Sequence, residues 1–206
     1  MRKAEVQDYR EFAQSVLEIV PDRPVSFEVF SDDFSEMEQQ ALELASWGSN
    51  VFVKIPVTNT KSEFSGPLIQ TLVGSGVQLN VTALMTTQQV EDVAQHLSAD
   101  TPSIVSVFAG RIADTGRDPM PLMRRSVEIL STMPQTELIW ASPRELLNIF
   151  QADAVGCHII TATSDVLAKL SGVGKDLDTF SLETVQMFRR DAVEAGYAIE
   201  TSMARS

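Results

Sequence analysis

Short apolar runs rich in β-branched residues recur at a regular interval, and this repeat restricts the fold more than any other feature of the sequence. The first four runs begin at residues 25, 51, 77 and 103, so successive starts are 26 residues apart. The six runs are VSFEVF (25–30), VFVKI (51–55), VQLNVTA (77–83), SIVSVF (103–108), ELIWA (137–141) and VGCHIIT (155–161). Nearly continuous apolar runs are typical of parallel strands covered by helices, so we predict six strands.

Helical patterns separate these runs. In SEMEQQALELASWG, for example, Ser35 and Glu38 have the spacing of a capping box. Alternating strands and helices with short links predict an α/β fold with a parallel sheet. The repeat suits a (β/α) barrel or a doubly wound sheet, and the lack of a Gly-rich phosphate loop after any run argues against nucleotide binding. No linker interrupts the pattern, so we predict one domain over residues 1–206.

Composition and charge exclude several classes of function. The chain is 44% hydrophobic with a formal net charge of −12, which disfavours nucleic-acid binding because phosphates need a basic surface. No run approaches the roughly 18 apolar residues of a membrane span, and the first residues lack an apolar signal core. We therefore expect a soluble, cytoplasmic protein. The lone Cys157 is expected to be structural, and the positions of His96 and His158 predict no metal site.

A lysine interrupts the apolar run VFVKIPV at residues 51–57. Because side chains alternate along a strand, Lys54 shares a face with Phe52 and Pro56, while Val53 and Ile55 face the covering helices. In a barrel the face of Lys54 is the interior, so we expect this lysine to be cut off from water and its neutral amine to be favoured. Such an amine attacks carbonyl groups to form a Schiff base; the alternative is a lysine that reaches solvent from the strand end.

Other polar residues occur late in the predicted strands, where barrels carry their catalytic groups. They are Glu28, Asn80, Thr82 and Ser106. The segment FAGRIADTGRDP (108–119) follows the fourth run and contains Arg111 and Arg117. The planar fork of an arginine suits a phosphate group, although exposed arginines are also common on surfaces that bind nothing.

Three of these segments together resemble the transaldolase family, in the branch of short class I aldolases that includes fructose-6-phosphate aldolase. VFVKIPVT resembles the Schiff-base strand, and GVQLNVTA resembles the strand that carries the family's Asn and Thr beside the lysine. VSVFAGRIAD resembles the family's S-P-F-V-G-R-I-x-D strand and phosphate loop. The resemblance runs from about Val25 to about Tyr197 and implies a TIM (β/α)8-type barrel.

The resemblance also implies roles for individual residues. Lys54 is the implied Schiff-base nucleophile, with Glu28 and Thr82 assisting the catalytic water and proton transfer. The implied contacts to a sugar-phosphate substrate are Asn80 to its hydroxyl groups, Ser106 and Phe108 in the pocket, and Arg111 and Ser142 at the phosphate. No metal and no cofactor are implied.

Two positions bear on the reaction. This chain resembles the transaldolases proper in having Glu at position 28 and Phe at position 108. The fructose-6-phosphate aldolases have Gln and Tyr at the corresponding positions. The resemblance therefore implies transfer of a dihydroxyacetone unit between sugar phosphates. The alternatives are a lyase like fructose-6-phosphate aldolase, a remnant that only binds sugar phosphate, and a flavodoxin-like binding module with an exposed Lys54.

The family has eight strands, and the sequence shows six. The family's first strand ends in an Asp that acts as general acid and base, and its second carries a T-T-N-P-type turn; neither has a counterpart here. We therefore expect an N-terminally truncated barrel of about six βα units, explained by a longer true chain, by an inactive truncation or by closure through oligomer contacts. The C-terminal stretch predicts a helix with Val185, Phe188 and Ala192 on one face, and the resemblance implies a homo-oligomer through this helix.

Overall fold

The computed structural model describes residues 8–199, which form six strands and nine α-helices. The strands are β1 (Val25–Glu28), β2 (Val51–Pro56), β3 (Leu79–Leu84), β4 (Ser103–Val107), β5 (Thr136–Trp140) and β6 (Ile159–Ile160). The helices are α1 (Tyr9–Ile19), α2 (Phe34–Ala45), α3 (Gly66–Gly74), α4 (Thr87–Ala94), α5 (Ala109–Ala113), α6 (Met120–Leu130), α7 (Leu147–Ala154), α8 (Ser164–Ala168) and α9 (Leu177–Glu194). The chain divides into two compact units, residues 1–166 and 167–206.

The six strands form one parallel sheet in the order β1-β2-β3-β4-β5-β6. Each strand thus lies beside its neighbour in sequence, and the sheet is a curled half-barrel. A doubly wound sheet would reverse its strand order at a switch point, so the flavodoxin-like alternative is wrong. The α/β fold and all six predicted strands are confirmed, although β6 contains only two residues.

The two faces of the sheet differ as the alternation of side chains predicts. Val53 and Ile55 of β2 are fully buried in the main core beneath the helices, as are the outward residues of β3, β4 and β5. The inward face carries a smaller apolar cluster of four buried residues, namely Phe52, Ile104, Ile139 and Ala141. Lys54 belongs to this inward face, which confirms its predicted orientation.

Helix capping differs from the prediction in one place. Helix α2 begins at Phe34, and the carboxylate of Asp33 accepts hydrogen bonds from the backbone N–H groups of Ser35 (2.9 Å) and Glu36 (3.2 Å). The predicted Ser35–Glu38 capping box is therefore wrong, because Asp33 already satisfies the first turn. A capping box does start α4, where Thr86 and Gln89 bond reciprocally immediately after β3.

Residues 167–199 contain a short 3-10 turn (Lys169–Gly172) and α9. The predicted C-terminal helix is confirmed, and Asp176 caps its first turn. No side chain between residues 167 and 199 is buried; Val185 is 59% exposed and Phe188 is 62% exposed. Within the described chain, no helix combines the length and the apolar character needed to cross a membrane.

Candidate active site

Polar side chains from three neighbouring strands meet at one level of the sheet. The strand register pairs Glu28 of β1 with Lys54 of β2, and Lys54 with Asn80 of β3. Adjacent strands lie about 4.8 Å apart, so residues paired in this way are direct neighbours. Glu28 and Lys54 lie in the carboxyl halves of β1 and β2, where barrels carry their catalytic groups, whereas Asn80 is the second of six residues in β3 and not late in its strand as expected. The structure thus brings together three residues that the sequence singled out.

Lys54 projects from the inward face between Phe52 and Pro56 and is half-buried. Among residues 8–199, no hydrogen bond or ion pair engages its amine. Lys54 lines a 310 Å³ cleft with Ser26 and Glu28 of β1. The expectation that Lys54 is cut off from water is therefore wrong for the described residues, because β1 is the end strand and the cleft opens beside it. The amine is instead unpaired and accessible to a small molecule.

Helix α1 supplies an apolar wall to this cleft through Tyr9, Phe12 and Val16. Tyr9 fastens the helix to the end strand, because its hydroxyl accepts a hydrogen bond from the backbone N–H of Glu28 (3.2 Å). Its ring also packs edge-on against Phe27 and Phe30, with centroids 5.9 and 5.0 Å apart. Burial raises the pKa of the Tyr9 hydroxyl, and the nearby charge of Glu28 adds to the increase. The end strand thus gains a hydrogen-bond partner that sequence reasoning did not anticipate.

Asn80 is clamped between two serines on the inward face. Its side-chain amide donates to the hydroxyl of Ser26 on β1 (3.0 Å), and its carbonyl accepts from the hydroxyl of Ser106 on β4 (2.7 Å). Asn80 and Ser106 are 3% and 4% exposed. These two bonds fix which end of the amide faces which strand, so Asn80 presents one remaining N–H in a defined direction.

Ser26 is a site residue that sequence reasoning missed. It precedes Glu28 by two residues and therefore points to the same face, which was the available signal. The hydroxyl of Ser106 donates a hydrogen bond to the side-chain carbonyl of Asn80, and its expected contact with the substrate stays a prediction.

Thr82 lies one step further along the inward face of β3, opposite Pro56 of β2, and is 5% exposed. The pairing of β3 with β4 shifts just beyond it: Val81 pairs with Val105, but Leu84 pairs with Val107. The three-residue advance on β3 against two on β4 is a β-bulge, and Ala83 within it has a φ of 69°. Bulges often change the direction of side chains beside functional sites. Because of this bulge, Thr82 is the last residue of β3 that follows the regular alternation onto the inward face.

Phe108 and Arg111 follow β4. The guanidinium carbon of Arg111 lies 5.2 Å from the centroid of the Phe108 ring, within the range of a cation–π contact. Phe108 packs against the inward apolar cluster, whereas Arg111 is exposed. Phe108 therefore holds the cation at the rim of the sheet, where an anionic group can reach it.

Glycine is required at position 110 by a close backbone approach. A Cβ added to Gly110 would lie 1.5 Å from the carbonyl oxygen of Ser142, and the Gly110 N–H donates to the carbonyl of Ala141 (3.2 Å). Ser142 itself has a φ of 58° and donates its N–H to the hydroxyl of Thr161 (3.3 Å). Helix α5, which carries Arg111, thus packs directly on the segment after β5. Arg111 and Ser142, the two predicted phosphate contacts, therefore lie on backbone segments that touch each other.

An ion pair reinforces this junction. Arg144 contacts the Asp114 carboxylate through two nitrogens, with its Nε 3.0 Å from one oxygen. Two parallel bonds of this kind fix geometry as well as charge. Sequence reasoning missed both residues, because nothing in the pattern linked two loops that are 30 positions apart.

The remaining reactive side chains stand apart from this site. The thiol of Cys157 lies 3.2 Å from the Leu138 carbonyl oxygen, and burial raises its pKa, as expected for a structural thiol. Residues 8–199 contain no group of three side chains positioned to hold a metal ion.

Curated proteins from several organisms are similar to this chain. A probable transaldolase of Dehalococcoides mccartyi is 34% identical over 169 residues, which cover 82% of this chain and 74% of that protein. A probable transaldolase of Methanococcus maripaludis has the same identity and coverage. A probable transaldolase of Streptococcus agalactiae is 36% identical, over 81% of this chain and 74% of that protein.

A solved structure of a mandelate oxidase mutant with a monooxide FMN adduct is similar in fold, with a TM-score of 0.52 and 14% sequence identity. The match covers 91% of this chain, which spans 61% of that one, and it concerns the fold alone. The family described as Transaldolase/Fructose-6-phosphate aldolase matches residues 3–204. Together with the relatives that are more than 30% identical, this match shows that the chain belongs to the transaldolase/fructose-6-phosphate aldolase family.

Proposed function

We propose that this chain is a transaldolase-type class I aldolase that moves a dihydroxyacetone unit between sugar phosphates through a Schiff base on Lys54. In this proposal residues 1–206 act as one barrel-type domain of about six βα units, without a metal or cofactor. The observation that carries the proposal is the row Glu28–Lys54–Asn80, in which an accessible amine, without a partner among residues 8–199, lies between a carboxylate and a fixed amide on adjacent strands.

The proposed chemistry begins when the Lys54 amine adds to the ketone carbon of a ketose phosphate and the carbonyl oxygen leaves as water. The imine then accepts the electron pair of the breaking C3–C4 bond, the C4 hydroxyl loses its proton and an aldose phosphate departs. The resulting enamine adds to an aldehyde acceptor, and water releases the product and regenerates the amine. Glu28 is the proposed group for water activation and proton transfer, because its carboxylate lies next to Lys54 in register.

Substrate binding is assigned to the residues around this row. Asn80, held by Ser26 and Ser106, offers its remaining N–H to a substrate hydroxyl oxygen, and Thr82 positions the catalytic water. Phe108 lines the pocket, while Arg111 and Ser142 take the phosphate at the rim. The stacking of Arg111 on Phe108 supports this division between an apolar floor and a cationic edge.

A turnover assay tests the proposal. The purified chain is supplied with fructose 6-phosphate, with and without erythrose 4-phosphate, and the release of glyceraldehyde 3-phosphate is followed. We expect release that depends on the acceptor, that is lost in Lys54→Arg and that persists in Lys61→Arg, a matched change at an exposed lysine. Equal rates in the two variants would refute Lys54 as the nucleophile.

The same assay separates two alternatives. Release without an acceptor would favour a lyase like fructose-6-phosphate aldolase. A binding-only remnant predicts that fructose 6-phosphate binds but never turns over. The exposure of Glu28 on the end strand favours this second alternative, because no hydrogen bond or ion pair among residues 8–199 positions its carboxylate as a base.

We also propose that the chain is a homo-oligomer through α9 and acts in the cytoplasm. The exposed apolar side chains of α9, including Leu177, Phe180 and Phe188, support an interface there. Sedimentation should give a mass above the 22.6 kDa of one chain, and Phe188→Glu should return it to that value. A single-chain mass for the unchanged protein would contradict the oligomer.

A further inference from the structure

The cleft beside Lys54 contains an ionisable side chain that has no role in the chemistry proposed so far. Tyr9, the first residue of α1, lines this cleft together with Glu28 and Lys54. Its ring is half-buried and makes edge-on contacts with Phe27 and Trp47, with centroids 5.9 and 5.8 Å away. The phenol is therefore held in place in the same cleft as the Lys54 amine.

The hydroxyl of Tyr9 has a proton that it can donate. A phenol O–H both donates and accepts hydrogen bonds. The Tyr9 oxygen accepts the backbone N–H of Glu28 (3.2 Å), but no group among residues 8–199 accepts the phenolic proton. This proton is therefore available to a molecule that enters the cleft.

The surroundings of Tyr9 keep this proton in place at neutral pH and also support its departure. Burial raises the pKa of the Tyr9 hydroxyl, and the charge of Glu28 adds to the increase, so the phenol is protonated at neutral pH. The backbone N–H of Glu28 acts in the opposite direction, because it donates to the oxygen on which negative charge develops when the proton leaves. The other charged groups around the ring are Lys54 in the cleft and the ion pair of Arg10 with Glu43 of α2.

Schiff-base formation includes a step that needs such a group. After the amine adds to a ketone, the carbinolamine loses its hydroxyl group, which departs readily only when an acid supplies a proton. From the cleft that Tyr9 and Lys54 share, we propose that Tyr9 is the catalytic acid of this step. Its O–H bond breaks as the nitrogen lone pair forms the C=N bond and the carbinolamine C–O bond breaks, which yields water, a protonated imine on Lys54 and a phenolate.

The proton balance of this step closes in the cleft. The proton that leaves Tyr9 ends on the departing water, and the phenolate regains a proton from the solvent that reaches the cleft beside β1. Glu28 keeps the role proposed for it in water activation and later proton transfer. The assignment rests on the proposed Schiff-base function and adds to it a residue that the sequence analysis did not single out.

The rate of imine formation tests this role separately from the Schiff base itself. Dihydroxyacetone and excess cyanoborohydride trap the imine as it forms, and mass spectrometry follows the adduct on Lys54. We expect Tyr9→Phe, which keeps the ring, to slow this adduct about a hundredfold, a usual loss for a general acid. Tyr197→Phe removes the other tyrosine hydroxyl of the chain, at an exposed position, and should leave the rate unchanged.

A fluorine on the ring distinguishes an acid from a residue that only supports the fold. In a Tyr197→Phe chain, Tyr9 is the one remaining tyrosine, so 3-fluorotyrosine supplied during expression enters at that position alone. Fluorine makes the phenol more acidic and keeps the oxygen that accepts the Glu28 N–H. Because only the protonated phenol donates, the fall in trapping rate at alkaline pH should move to lower pH.

The outcomes separate this role from the proposed function. No adduct on Lys54 in the folded, unchanged chain would refute the Schiff-base function and this role with it. An adduct that forms equally fast in the unchanged chain and in Tyr9→Phe would overturn the role of Tyr9 alone. A slower adduct in Tyr9→Phe with a pH profile that fluorine does not move would also overturn it, because Tyr9 would then only fasten α1 to the end strand.

Discussion

The polar side chains in the middle of the sheet are buried and hydrogen-bonded, whereas the one at its end is exposed. Asn80 and Ser106, on the central strands β3 and β4, are buried and joined by a hydrogen bond. Glu28, on the end strand β1, is exposed, and no hydrogen bond or ion pair within residues 8–199 engages its carboxylate. Lys54 lies between them in register. The side chains proposed to bind substrate are therefore fixed by this chain's own packing, whereas the carboxylate proposed for acid–base chemistry has no such support among residues 8–199.

The junction after the central strands should be the least tolerant of change. Gly110→Ala places a methyl group on the Ser142 carbonyl, which we expect to lower the free energy of unfolding by about 2–3 kcal/mol and to disorder the position of Arg111. Gly74→Ala is the matched control, because no atom lies within 4 Å of an added Cβ there. Urea denaturation of both variants measures the difference; equal stabilities would show that α5 does not pack on the segment after β5.

Asn80 should contribute more to stability than Glu28. Asn80→Leu removes the amide and leaves the hydroxyls of Ser26 and Ser106 without this partner, which should cost about 2 kcal/mol. Glu28→Gln, at the exposed end of the same row, should change stability by less than about 0.5 kcal/mol. Thermal unfolding monitored by circular dichroism separates the two, and a larger effect at Glu28 would reverse the comparison.

The end strand should depend on the hydrogen bond between Tyr9 of α1 and the Glu28 backbone. Tyr9→Phe keeps the aromatic contacts but removes the acceptor for the Glu28 N–H, at an expected cost of about 1 kcal/mol. The free energy of opening measured by hydrogen exchange at the Glu28 amide should fall by about the same amount, so that exchange there becomes faster. Unchanged exchange at that amide in the variant would show that Tyr9 does not close the strand edge.

The smallest expected effect concerns the loops that follow β1 and β2. Thr60 donates its hydroxyl (2.6 Å) and its backbone N–H (2.7 Å) to the Asp32 carboxylate, and these bonds lower its pKa from the ordinary 3.8. A lowered pKa stabilises the folded protein above pH 3.8, and the contribution is lost as the pH falls through the lower folded value.

Asp32→Asn should therefore flatten the loss of stability below about pH 4 relative to the unchanged chain. Urea unfolding measured between pH 3 and pH 6 checks this expectation. Asp22→Asn serves as the control, since the Asp22 side chain forms no hydrogen bond in the described part of the chain. Identical pH profiles for Asp32→Asn and the unchanged chain would exclude the Thr60 contact.

The fold and the row of the candidate site were predictable because both follow from local alternation. The period of two along VFVKIP places Lys54 inward, and the common spacing of 26 residues puts Glu28, Lys54 and Asn80 at one register, since 28, 54 and 80 differ by that spacing. The family resemblance supplied the chemistry that this geometry alone leaves open.

The missed features all depend on contacts between distant segments. The hydroxyl of Ser26 reaches Asn80 across β2, the Gly110 backbone meets Ser142, and Tyr9 bonds to the end strand. The period of two along β1 indicates the face of Ser26, but no periodic signal in the sequence indicates which distant residue each of these groups contacts. The expected burial of Lys54 was wrong for a related reason: the strand pattern fixes the direction of a side chain, but its access to water depends on which strands lie beside it.

Reductive trapping tests the central claim most directly. The unchanged chain is incubated with dihydroxyacetone, reduced with borohydride and digested, and the modified lysines are identified by mass spectrometry. We expect one adduct on Lys54 and none on the exposed Lys61, because Lys54, unlike Lys61, shares a row with a fixed amide and a carboxylate. Modification of both lysines to the same extent, or of neither in a folded chain, would contradict a Schiff-base site at Lys54.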